Sequence, residues 1–177
     1  MCGITGFFEE NYSHNENLII KMTNSLISRG PDAIGYWFDN SLGISLGHRR
    51  LSIQDLTNNG AQPIFSHTKQ HIMIFNGEIY NHLELRKILE NDNKINWAGS
   101  SDSETLVNAI EILGIKKTLK IINGMFAFAV LDLRNSNLIL ARDRFGEKPL
   151  YYGYVNKVFF FGSQPKSFKP HPKWKSK

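Results

Sequence analysis

The stretch HIMIFNGEIYNHLELRKILE, residues 71–90, changes character halfway along, and that change decides the fold class. Its first half, HIMIFNGEIY, is rich in β-branched and aromatic residues and reads as a strand. In its second half Asn81, with Glu84 three residues on, forms an N-cap signature before LELRKILE and predicts a helix. Towards the N-terminus the strand signal continues in LGISLGHRR (42–50) and IGYWF (34–38), separated by Gly, Asn and Asp turns. Before them, LIIKMTNSLISRG (18–30) predicts an amphipathic helix with Leu18, Ile19, Met22, Leu26 and Ile27 on one face, ended by Gly30 and Pro31. CGITGFF (2–8) reads as a buried strand. Towards the C-terminus, Ser101 or Asp102 caps ETLVNAIEIL, whose Leu106, Ile110 and Leu113 share a stripe, and a short helix follows near 115–122. Strands then return in MFAFAVLDL, NLILARD, LYYGYV and KVFFFGS, with turns at Arg134 to Asn137 and at Asn156 and Lys157. The order is a strand block, a helix block and a second strand block. It predicts an α+β layered sandwich, because a doubly wound parallel sheet alternates element by element.

A length of 177 residues with 41% hydrophobic content fits one domain with a full core. One cysteine permits no internal disulfide, and the start lacks a charged segment followed by an apolar one, so a cytoplasmic protein is expected. No apolar run approaches the roughly 18 residues of a membrane span. The net charge of +5 is carried by Lys166, Lys169, Lys173, Lys175 and Lys177, and the rest of the chain is balanced, so nucleic acid is not an expected partner. We place the domain at residues 1–163 and read 164–177 as a basic tail or truncated interdomain linker, a solvated stub in which Pro170 and Pro172 prevent regular structure. His67 and His71 have helical ligand spacing, but they lie beside turn-like residues with no third ligand near, so no metal is expected.

Chemistry enters through the polar residues that interrupt the strands. Cys2 is the only cysteine, and removal of Met1 leaves a thiol and a free α-amine on one residue. The thiolate is a nucleophile, and an amine titrating near about 8 is a base at neutral pH, so Cys2 carries both halves of an N-terminal-nucleophile device; the alternative is a small buried apolar residue. In FNGEIYN, Asn76, Gly77 and Glu78 bring an amide, an open backbone N–H and a carboxylate to one place. Two such donors cradle an oxyanion, while the local signal of Asn-Gly is a hairpin turn. Arg49 and Arg50 are adjacent on a strand, so one faces inward, either to clamp a substrate carboxylate or to pair with one of the chain's own acids. Asp102 caps the following helix or meets a ligand ammonium. Arg29, Pro31 and Asp32 read locally as a helix stop and turn.

Taken in order, CGITGFF, RGPDAIG, HRRLSIQD, GAQPI, FNGEIYNH, SDSETL, INGMFAFAVLD and ARDRFGEKPLYYG resemble the glutamine-hydrolysing domain of class II glutamine amidotransferases, within them that of the glutamine-dependent asparagine synthetases. The resemblance implies a four-layer αββα sandwich of the N-terminal-nucleophile hydrolase type. It implies that Cys2 attacks the side-chain amide of L-glutamine through a thioester, with Asn76 and Gly77 as oxyanion hole. Arg50 would hold the substrate α-carboxylate, main-chain groups of Leu51, Ser52 and Ile53 would line the pocket, and Glu78 and Asp102 would hold the α-ammonium. Arg29 and Asp32 would support the nucleophile. No cofactor is implied for glutamine hydrolysis. ATP and Mg belong to a synthetase domain, in the same chain or a separate protein, whose nucleotide loop these residues do not contain; a homodimer fits the family as well. The alternative is a non-catalytic module that binds glutamine or docks to a partner, favoured if Met1 is retained.

Overall fold

A computed structural model describes residues 1–10, 16–52, 57–91 and 94–175. The described residues form two antiparallel sheets. The first has the order β2-β3-β1-β9-β8, with β1 at Gly3–Phe8, β2 at Ala33–Asp39, β3 at Ile44–Arg50, β8 at Tyr151–Val155 and β9 at Val158–Gly162. The second has the order β4-β5-β6-β7, with β4 at Ile64–Phe65, β5 at His71–Ile79, β6 at Gly124–Asp132 and β7 at Asn137–Arg142. Helix α1 (Glu16–Asn24) covers the outer face of the first sheet, and α2 (His82–Glu90), α3 (Asp102–Leu113) and α4 (Ile115–Ile121) cover the outer face of the second. The architecture is the expected four-layer αββα sandwich.

Three apolar layers follow from the two-residue period of the strands. Ile4, Ile44, Leu46, Ile72, Ile74, Ala127, Ala129, Leu131 and Phe161 meet between the sheets. The opposite faces of the same strands meet the helices: Phe7 and Phe160 pack with Leu18, Ile19 and Met22 of α1, while Met73, Phe75 and Phe128 pack with Leu85, Leu106 and Ile110. Helix α1 lies close on β3 because Gly47 has no side chain; a Cβ there would stand 2.0 Å from Thr23 Oγ1.

Several local expectations are corrected. The helix expected over 18–30 ends at Asn24. Ser25 Oγ donates to Met22 O at 2.7 Å, a local side-chain bond that competes with helix continuation, and the chain goes on through turns while Leu26 stays buried. Asn81 precedes α2 without capping it: its Nδ2 donates to Ile121 O at 3.0 Å and its Oδ1 accepts from Asn123 N at 2.8 Å, tying the start of α2 to the end of α4. Ser101 caps α3, its Oγ accepting from Glu104 N at 3.2 Å. The C-terminal segment is not a solvated stub. Pro165–Phe168 forms a 3₁₀ turn, Ser167, Phe168 and His171 are buried, and the Trp174 ring meets those of Phe160 and Phe168 edge-on at 5.3 and 5.1 Å. Aromatic burial overrides the basic composition of this segment.

Candidate active site

The side chains of β1, β3 and β5 that face the other sheet are even-numbered, and following them to one end of the sandwich leads from the apolar layer to a polar mouth. Ile4 is followed by Cys2, Leu46 and His48 by Arg50, and Ile72 and Ile74 by Asn76 and Glu78. The register pairs Gly3 with Arg49 and Ile4 with His48, so one further step sets Cys2 beside Arg50. Arg49, on the other face, is buried. Its Nε donates to Gly30 O at 2.7 Å, Nη2 to Pro31 O at 3.1 Å and Nη1 to Asn24 Oδ1 at 3.5 Å. The pair of arginines thus divides: Arg49 holds the backbone beyond α1, and Arg50 lines the mouth, its Nη1 donating to Thr57 O at 2.8 Å.

The mouth is a cavity of about 190 Å³ whose lining includes Met1, Cys2, Arg50, Leu51, Gln62, Asn76, Gly77, Glu78, Asp102 and Lys148. Cys2 is held at both ends. Its sulfur accepts from Leu51 N at 3.4 Å and lies 3.6 Å from Leu51 O, and its carbonyl accepts from Arg29 Nε at 2.9 Å. Burial pushes the thiol above its ordinary range, against the Leu51 hydrogen bond, the terminal ammonium and Arg50, which pull it down. Asp32 braces the wall: its Oδ2 accepts from Ser52 N at 2.7 Å and its N–H donates to Arg50 O at 3.0 Å. Arg29 and Asp32 therefore touch the Cys2 backbone and the Arg50–Ser52 backbone, beyond the turn role their local sequence suggests. Ile53 lies outside the described residues.

The hairpin turn that Asn76-Gly77 signals locally does not form. Both residues lie inside β5, paired with Ala127 and Phe126 of β6. Gly77 is compatible with this because the two backbones approach closely; a Cβ would lie 2.3 Å from Met125 O. The ladder also reveals which way each N–H points. Phe126 N donates to Asp143 Oδ2 and Phe126 O accepts from Asp143 N, so both face away from β5, and Gly77 opposite is a non-hydrogen-bonded partner. Phe75, Gly77 and Ile79 accordingly present their N–H groups to the free edge of β5. Phe75 N is taken by Gln62 Oε1 at 2.6 Å and Ile79 N by Asp102 Oδ2 at 2.9 Å. The Gly77 N–H between them opens on the cavity. Beside it Asn76 is 1% exposed, and its Nδ2 has no hydrogen-bond partner among the described residues. A buried amide donor without an acceptor is rare and points to an absent one. Asp102 is buried; burial pushes its carboxyl up to about 6, outweighing the N–H donated by Ile79, with the Glu78 charge adding to the rise.

Two lining residues escaped the sequence reading of roles. Gln62 sits in GAQPI and Lys148 in GEKPLYY, and neither motif has a local pattern that marks a site. Lys148 is buried, with Nζ 3.5 Å from Met1 Sδ, on a loop gathered around Asp143. The Asp143 carboxylate accepts N–H bonds from Phe126, Phe145, Glu147 and Lys148 at 2.9–3.2 Å. Burial raises this carboxyl, but the donors, Lys148 first, outweigh it and hold the group below its ordinary range. No group of three or more potential metal ligands occurs among the described residues.

A family model described as a glutamine amidotransferase domain matches residues 1–177. The chain is 39% identical over 171 residues to asparagine synthetase [glutamine-hydrolyzing] 1 of Bacillus subtilis, which takes in 94% of this chain and 26% of that protein. It is 37% identical over 174 residues to asparagine synthetase B [glutamine-hydrolyzing] of Escherichia coli, 96% of this chain and 30% of that protein. It thus spans between a quarter and a third of these relatives. In three dimensions it is similar to the glutamine phosphoribosylpyrophosphate amidotransferase of B. subtilis, with a TM-score of 0.77 at 22% identity, over 95% of this chain and 43% of that one.

Proposed function

Since the chain belongs to the glutamine amidotransferase domain family, we propose that it hydrolyses L-glutamine to L-glutamate and ammonia with Cys2 as the nucleophile. The reading begins with the loss of Met1, which leaves the Cys2 nitrogen as an amine beside its own sulfur. The neutral amine takes the thiol proton, and the thiolate attacks the side-chain amide carbon of glutamine. The carbonyl oxygen becomes an oxyanion held by Asn76 Nδ2 and the Gly77 N–H, a pair of donors in place before the charge appears. Collapse of the intermediate breaks the carbon–nitrogen bond, and the amine returns its proton to the departing ammonia. Water, deprotonated by the same amine, then cleaves the thioester and releases glutamate.

The rest of the lining selects an amino acid. Arg50 takes the α-carboxylate, and Glu78 with Asp102 takes the α-ammonium; main-chain groups of Leu51 and Ser52 form the wall. Arg29, through the Cys2 carbonyl, and Asp32, through Ser52 N, are positioning residues. The ammonia passes to an ATP- and Mg-dependent domain of the asparagine synthetase kind, in a longer chain or a partner.

One observation carries this reading: Asn76 Nδ2, without a partner among the described residues, and an edge-facing Gly77 N–H share one cavity with the chain's one cysteine. The test is glutamate release by protein whose mass shows Met1 removed, against Cys2→Ala. Glutamate released equally by the mutant would sink it. Protein retaining Met1 has an amide where the base should be and a methionine in the cavity lining, and is expected to bind glutamine without turning it over.

A further inference from the structure

We propose that His48 and Gln62 are positioning residues for the reaction: together they clamp the Phe75 backbone and so hold Asn76 and Gly77 in register with the Cys2 sulfur. The inference rests on the glutaminase reading and adds to it two residues that touch no reacting atom.

The argument begins where β4 stops. β4 pairs Ile64 with Met73 and Phe65 with Ile72 along the outer edge of β5. Continued by two residues, this register would set Gln62 opposite Phe75, in the place of a backbone partner. The strand does not continue. Pro63 intervenes, and the Gln62 carbonyl is turned against β2, where a Cβ on Gly35 would stand 1.8 Å from it. Phe75 is left with an N–H and a C=O on an unladdered edge, one residue before the proposed oxyanion hole.

Side chains fill the gap. Gln62 Oε1 accepts the Phe75 N–H at 2.6 Å, and His48 Nε2 lies 3.2 Å from the Phe75 carbonyl. A carbonyl can only accept, so Nε2 carries the hydrogen and donates it. The imidazole is 1% exposed and neutral, its burial pushing the pKa down to about 3. A neutral donor is what the place requires, since a cation here would stand beside Arg50. His48 comes from the first sheet, on the same face of β3 as Arg50, so its bond also ties the carboxylate-binding strand to the oxyanion strand. Two residues beyond Gly77, Asp102 holds Ile79 N at 2.9 Å. The edge of β5 is therefore held on both sides of Gly77 by side chains, and among the described residues nothing takes the Gly77 N–H between them. A backbone strand in the place of this clamp, continued to Gly60, would have covered it.

Loss of the clamp is expected to disturb the transition state more than substrate binding, because Arg50 and Glu78 bind glutamine at the other end. His48→Leu should lower kcat about ten- to hundredfold, less than the roughly 10²–10³ lost when an oxyanion donor is removed outright, with KM changed less than about threefold. His48→Gln, which restores a donor, should recover most of the loss. Gln62→Met, at a half-exposed position, should show the same split. It should also speed hydrogen exchange of the Phe75 amide at least about tenfold while leaving the Ile79 amide unchanged, a readout independent of turnover. Wild-type kcat in a folded His48→Leu, or unaltered Phe75 exchange in Gln62→Met, would overturn the clamp while leaving the glutaminase reading intact. A processed wild-type protein that releases no glutamate would overturn that reading, and the catalytic role of the clamp with it.

Discussion

The layer between the two sheets has two ends built from the same strands by the same two-residue alternation, and they serve opposite purposes. At one end Ile44, Leu46, Ile72 and Leu131 are at most 2% exposed and belong to one apolar cluster; each such side chain contributes roughly 1.5–3 kcal/mol to folding. At the other, Cys2, Arg50, Asn76 and Glu78 occupy the equivalent inward positions and open on a cavity. The dry end holds the sheets at a fixed separation. The polar end uses that separation to keep a thiol, a cation and the Asn76 amide in one small space. Stability and site are thus continuous along each strand, and only the residue types at the last inward positions distinguish them.

If the two ends divide the work in this way, substitutions should divide as well. Cys2→Ala is expected to abolish glutamate release while leaving the melting temperature within a few degrees, and an active mutant would break the division at its root. Asn76→Ala should lower kcat by about 10²–10³, on the order of 3–4 kcal/mol of transition-state stabilisation, with a smaller change in KM. Ile74→Ala, two residues away on the same face of β5, should cost about 2–5 kcal/mol of unfolding free energy and leave KM nearly unchanged, as denaturant titration and kinetics together would reveal. Arg50→Lys should raise the glutamine KM about tenfold by loss of the forked geometry, whereas an effect on stability alone would place Arg50 with the dry end. The mildest expectation concerns pH. The folded pKa of Asp102, about 6, lies above that of an unfolded aspartate, so its contribution to stability is complete at low pH and is lost as pH rises through about 6. Asp102→Asn should flatten the stability curve between about pH 4 and 6. On the proposed reading glutamine binding should run the other way, weakening as pH falls below about 6 in a calorimetric titration, because the ammonium would need an ionised Asp102.

Two aspartates show how far burial and donors can separate one residue type. Both are buried and both accept backbone N–H groups, yet Asp143, ringed by donors from its own loop, stays below the ordinary range while Asp102 rises to about 6. Asp143 anchors a loop that carries Lys148 to the cavity; Asp102 closes the edge of β5 and faces the cavity beside Glu78. The environment of Asp143 is made largely by its own loop, whereas that of Asp102 depends on Ile79 and Glu78, distant in sequence. The local signals at Asn76-Gly77, at Asn81 and along the C-terminal segment fail because of distant partners of this kind. Each is a short-range signal that a distant partner overrides: the pairing of β5 with β6, the end of α4, and the aromatic face of β9.

By itself the sequence determined the alternation of the strands, the block order of an α+β layered sandwich, and the place of the one cysteine directly after Met1, because these depend on neighbours along the chain. Only the tertiary structure decided that Arg50 and not Arg49 faces the cavity, that the strand signal prevails over the turn signal at Asn76-Gly77, and that Gln62 and His48 replace a missing strand. Those outcomes depend on which face meets the second sheet and where β4 ends, and both are set by packing between residues far apart in sequence.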